Sequence, residues 1–274
     1  ELDDLESPRL DVWGVSDHDL FKESHQIFKN IDSDKPFFAI IQTATNHRPY
    51  SIPNDVKGFE IQNLSKDELS RAGFNSLDQY NAMRLLDHAV GEYFSYAKSS
   101  SYFENTVFFL FGDHGTSDPW AEHMPLSDYE LLLRSYHVPF IIYGNRLKQK
   151  GIIRNEVSML PDLMPTAAGF AGISYHNQTL GQDLMSLKKD QDSYALIVGK
   201  DRGFPTIGIM GNQFYLTMYH DGTNIKLYDL KSEGSLKNIK DNHPNMTIKY
   251  SELVKGFYET SKYMLYHNSE LFKP

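Results

Sequence analysis

Apolar and polar positions alternate with two different textures along this chain. Before about residue 190, short wholly apolar runs stand between longer stretches of helical period. Residues 37–42 (FFAIIQ), 106–111 (TVFFLF) and 138–143 (VPFIIY) predict buried strands, because they offer no polar alternation for a solvent face. Between the first two, residues 76–95 space Leu77, Tyr80, Met83, Leu86, Val90 and Phe94 three or four apart, which predicts one apolar helical stripe. Residues 157–173 read as a loop and a short helix ended by Gly172. Beyond about Gln191 come four short strand patterns, at 194–198, 206–210, 213–219 and 225–230, with turn signals at Gly211-Asn212 and Asp221-Gly222. A polar stretch then leads to a helix over 247–271, whose apolar face is Tyr250, Leu253, Phe257, Tyr258 and Met264.

Strands separated by helical patterns predict an α/β fold with a helix-covered, mostly parallel sheet. The later texture predicts a small antiparallel sheet with a terminal helix. The chain therefore divides into residues 1–190 and 191–274.

Composition narrows the chemistry. A formal net charge of -9 argues against a nucleic-acid partner, which calls for a basic face. The absence of cysteine excludes disulfides, thiolate metal sites and a cysteine nucleophile, so carboxylate, imidazole or hydroxyl groups must hold any metal. No apolar run is long enough to span a bilayer. The acidic opening, ELDDLESPRL, has neither a starting Met nor an apolar signal region, and reads as a cut or processed end with room for a membrane anchor upstream.

Candidate chemistry centres on Phe-Gly-Asp-His-Gly at 111–115, which sets a carboxylate and an imidazole at the carboxyl end of an apolar run, where α/β sheets bind ligands. A second histidine-bearing loop, Asn46-His47-Arg48-Pro49-Tyr50, follows another such run. Parallel strands would bring both loops to one rim. Asp with His suits zinc or manganese, and an oxygen-rich set suits manganese or magnesium.

The ordered motifs Trp13-Gly14-Val15-Ser16-Asp17, Asp19-Leu20-Phe21, Phe37-Phe38-Ala39 through Tyr50, Phe111 to Gly115, Leu163-Met164-Pro165-Thr166 and Ala171-Gly172-Ile173 resemble the lipoteichoic acid synthases and sulfatase-like phosphoglycerol transferases of the alkaline phosphatase superfamily. The resemblance covers roughly residues 12–185, and the later sheet and helix are similar to that family's carboxyl-terminal subdomain. It implies a metal-dependent phosphoglycerol (phosphodiester) transferase or hydrolase at the periplasmic or extracellular face of the cytoplasmic membrane. The substrate would be a glycerol-phosphate or related phosphodiester, or a sulfate ester.

By the same resemblance Asp113 and His114 are metal ligands, with Mn2+ the expected ion and Zn2+, Mg2+ or Ca2+ the alternatives. His47 is the active-site histidine, able to protonate a departing alkoxide or hold a phosphate oxygen. His123 is a second catalytic candidate at a spacing that departs from the family's. Trp13 is expected to pack on the sheet, Asp17 to cap the following helix and Arg48 to be solvated. The family's Thr or Ser nucleophile and first metal carboxylate belong to a stretch before the matched region. No nucleophile is therefore assigned, and the chain alone is expected to be inactive without that amino-terminal part of the catalytic domain. Two other functions remain open: a sulfatase with an upstream formylglycine, and a noncatalytic fragment or binding module.

Overall fold

The computed structural model describes residues 5–31, 35–148, 150–188, 191–201, 203–232 and 236–271. It forms two compact units that interleave along the chain: Glu1–Gly112, Thr116–Met124 and Pro139–Lys148 make the first, and Asp113–Gly115, Pro125–Val138 and Gln149–Pro274 make the second.

Serines start the three helices of the first unit. Ser16, Ser65 and Ser76 each stand before a helix and accept a hydrogen bond from the backbone N–H three residues on, opening α1 (Asp17–Lys29), α2 (Lys66–Ala72) and α3 (Leu77–Ala97). Ser65 and Glu68 form a reciprocal capping box. Helix α3 lies where the sequence predicts it, but its buried line is shifted. Ala82, Leu85, Ala89, Tyr93 and Ala97 are buried, whereas Met83 of the expected stripe is exposed. The alanines let α1 approach closely, and Phe21 of α1 packs with Ala89, Tyr93, Ala97 and Phe103. Larger side chains such as Leu86, Val90 and Phe94 flank this line and are partly buried.

Strands β1 (Phe108–Phe111) and β2 (Phe140–Tyr143) pair antiparallel, with Phe109 opposite Ile142 and Phe111 opposite Phe140. The expectation of parallel neighbours is corrected at this pair. An apolar run reports how much of a strand is covered, not the direction of its neighbour. The expected strand at 37–42 is also corrected: no strand forms there, and Phe38 and Ile40 are 67% and 76% exposed. Extended backbone becomes a strand only through ladder bonds, and no described residue pairs with this run. Phe37 instead stacks on Phe28, 5.1 Å between ring centres.

The second unit contains α4 (Leu126–Glu130), α5 (Leu163–Ala171), β3 (Ala195–Asp201), β4 (Phe204–Met210), β5 (Phe214–Tyr219), β6 (Lys226–Asp229) and α6 (Pro244–Leu271). Gly172 ends α5 at φ 64°, a left-handed cap that only glycine adopts without cost. The four strands form the expected antiparallel sheet in chain order. Alternation sorts β5 between two faces. Phe214, Leu216 and Met218 join Ile207, Ile209, Leu227 and, from α6, Tyr250 and Val254. Tyr215 points the other way, to Leu133, Ile197 and Tyr228. No helix among the described residues is long and apolar enough to cross a membrane.

Candidate active site

Asp113, His114 and Gly115 follow β1 after Gly112. The Gly115 N–H donates to the Ser135 carbonyl at 3.0 Å, and a Cβ at position 115 would collide with the Arg134 carbonyl oxygen. Only glycine lets the chain lie this close to the turn beside it.

Asp113 Oδ1 accepts the backbone N–H of His114 at 2.9 Å, which turns the carboxylate toward the neighbouring ring. His114 Nδ1 lies 2.7 Å from the Gly115 carbonyl oxygen. A carbonyl can only accept, so in the neutral ring Nδ1 carries the proton and Nε2 keeps its lone pair. That lone pair is 3.9 Å from Asp113 Oδ2, and both side chains are largely exposed. Metal-binding imidazoles are commonly held this way, with the second nitrogen bonded to a carbonyl. A carboxylate oxygen and an imidazole lone pair are donor types that a divalent ion takes, and the two side chains here would be the residues to hold one. Among the described residues no group of three or more His, Asp or Glu converges on a metal position.

His47 belongs to the first unit and is built by its own loop. The His47 N–H donates to the Ala44 carbonyl, and the Tyr50 N–H donates to the His47 carbonyl, at 2.9 and 2.8 Å. Tyr50 takes a left-handed φ of 66°. The expected roles of two neighbours are corrected here. Ser16, not Asp17, caps α1. Asp17 is fully buried, and its carboxylate accepts the N–H groups of Ala44 at 2.8 Å and Thr45 at 3.1 and 3.2 Å. Burial raises the Asp17 carboxyl above its ordinary range, against the opposing pull of the Ala44 and Thr45 N–H bonds. Trp13 does not disappear into a sheet. Its half-exposed indole lies 4.2 Å from the His47 ring, and Nε1–H donates to the Arg48 carbonyl at 2.7 Å. Arg48 is exposed as expected.

His123 is exposed in residues 116–124, also in the first unit. That loop is tied to the corner between α2 and α3. Asp118 accepts from Asn75 and Gln79 side chains at 2.6 and 2.7 Å, and Glu122 pairs with Arg71 at 2.8 Å. Thus Asp113 and His114 stand together in one unit, while His47 and His123 belong to the other. Sequence reasoning saw the Trp-Gly-Val-Ser-Asp motif but not its purpose, since hydrogen bonds between residues about 30 apart leave no local periodicity.

Comparison with known proteins gives this geometry a family. The chain is 27% identical over 208 residues to an ulvan-active sulfatase of Formosa agariphila, covering 70% of this chain and 40% of that protein. It is 27% identical over 243 residues to lipoteichoic acid synthase 1 of Bacillus subtilis, covering 85% of this chain and 34% of that protein. It thus spans well under half the length of these relatives. Among solved structures, an alkaline phosphatase superfamily protein from Vibrio parahaemolyticus aligns with 97% of this chain and 59% of its own, at a TM-score of 0.72 and 23% identity, which shows the fold. The sulfatase family model matches residues 2–173, well over half of the sequence. The chain belongs to the sulfatase family and has the fold of the alkaline phosphatase superfamily.

Proposed function

We propose that this chain carries part of the active site of a metal-dependent enzyme that cleaves or transfers a phosphodiester group of the phosphoglycerol type, outside the cytoplasmic membrane. The observation that carries this reading is the convergence of Asp113 Oδ2 and the lone-pair nitrogen of His114, with the His114 proton held by Gly115. One carboxylate oxygen and one neutral imidazole suit Mn2+, with Zn2+, Mg2+ or Ca2+ as alternatives. The ion would lower the pKa of an attacking hydroxyl and neutralise charge on the ester oxygens. His47 would serve as proton donor or acceptor through Nε2, because its Nδ1 is engaged by the Arg48 carbonyl at 3.0 Å. His123, exposed on its pinned loop, is a second candidate for proton transfer.

A sulfate ester is the second reading, favoured by the likeness to the ulvan-active sulfatase. Both readings call for a divalent ion at this pair. Titration of the chain with Mn2+, followed by the loss of the free-ion electron paramagnetic resonance signal, tests it. Asp113→Ala and His114→Ala are each expected to weaken binding about tenfold or more. Equal affinity in the parent and both variants would refute the site.

A further inference from the structure

The loop that carries His47 is held from outside by two side chains of the Trp-Gly-Val-Ser-Asp segment. Asp17 takes the N–H groups of Ala44 and Thr45, and returns its own N–H to the Thr45 hydroxyl at 3.0 Å. This closes a buried two-way clamp just before His47. Just after it, the Arg48 carbonyl accepts two hydrogen bonds, one from the Trp13 indole at 2.7 Å and one from His47 Nδ1 at 3.0 Å. The indole is itself aimed by a tight turn. The Trp13 N–H donates to Asp11 Oδ1 at 2.8 Å, and a bridge joins Asp11 to Gly14, whose φ of 127° suits glycine.

These contacts converge on one atom. An oxygen that can only accept requires the proton of neutral His47 to sit on Nδ1, whereas an unconstrained imidazole favours the proton on Nε2. The indole bond fixes where that oxygen lies, and the Trp13 ring limits rotation of the imidazole. We propose that Trp13 and Asp17 are positioning residues for His47, which lock its loop and its Nδ1–H tautomer so that Nε2 alone exchanges protons with substrate. The functional part of this inference rests on the reading above; the tautomer does not.

The test is long-range nitrogen–proton NMR of the histidine rings in the labelled chain, without metal or substrate, at a pH where His47 is neutral. Comparing the parent with His47→Gln assigns the His47 signals. The parent should show the Nδ1–H pattern. Trp13→Phe, which keeps a ring but removes the indole donor, and Asp17→Ala should each lose that pattern and gain the Nε2–H form. The signals of the buried His25, bonded to Tyr102 at 2.9 Å, should stay unchanged and report that each variant is folded. If Asp17→Ala does not fold, Trp13→Phe decides alone, because its side chain is half exposed. An Nε2–H pattern in the parent, or an unchanged Nδ1–H pattern in the folded variants, would overturn the proposal. Loss of Mn2+ binding at Asp113 leaves this result untouched, so failure of the metal reading is told apart from failure of the clamp.

Discussion

A proton on a single nitrogen decides what each histidine here can do. In their neutral forms His114 and His47 both give Nδ1–H to a nearby backbone carbonyl, Gly115 and Arg48 respectively, which leaves the lone pair on Nε2 in both rings. Gly115 holds this arrangement by what it lacks. Gly115→Ala should cost about 2 kcal/mol in chemical denaturation, since the added methyl must push aside the Arg134 backbone. A change below about 0.5 kcal/mol would show that the turn yields freely. Asp162 gives a different signature. It is buried, accepts the N–H groups of Met159 and Gln182 at 2.8 Å, and burial raises its carboxyl above the ordinary range. A raised carboxyl binds its proton more tightly in the folded chain than in the unfolded one. Its contribution is therefore full below the ordinary carboxylate pKa and is lost as pH rises through the raised value. Urea unfolding of the parent and Asp162→Asn should show the difference moving in the variant's favour as pH rises above the ordinary carboxylate range. A difference independent of pH would contradict this. The juxtaposition of Asp113 with His114 was legible because the two are neighbours in sequence. The role of Asp17 was not legible, because its ordinary place before a helix hid a bond network reaching to Thr45.

Elements that start and stop on local signals were the readable ones. Helix α3 begins after the Ser76 cap, α5 ends at Gly172, and the strands of the second unit fall beside the expected turns. Each of those signals acts within a few residues. Residues 37–42 failed for the opposite reason: a strand is a relation between two segments, and apolar character names only one of them. The loop at 116–124 depends on such relations too, through Asp118 with Asn75 and Gln79 and through the Glu122 N–H donating to the Arg71 carbonyl at 2.8 Å. Removing two charge-assisted bonds in Asp118→Ala should cost about 2 kcal/mol locally and speed exchange of the Glu122 amide roughly 30-fold. Hydrogen exchange read by mass spectrometry would show this in the peptide containing His123. Unchanged protection there would mean that the Arg71–Glu122 pair suffices.

At the scale of the molecule, the class was legible from the order of textures, and the later sheet with its helix matches the change seen near residue 191. The partition into compact units was not, because hydropathy is read along the chain and compactness is not. The chain passes from one unit to the other five times between Gly112 and Gln149. Asp113–Gly115, the segment with the candidate ligands, joins the second unit while the residues on either side of it join the first. This has a consequence for how such a protein can be rearranged by recombination. No single crossover in its gene separates the units intact, so neither can be traded as a cassette. Even a crossover between β1 and Asp113–Gly115 would leave residues 116–124 and 139–148 of the first unit on the far side.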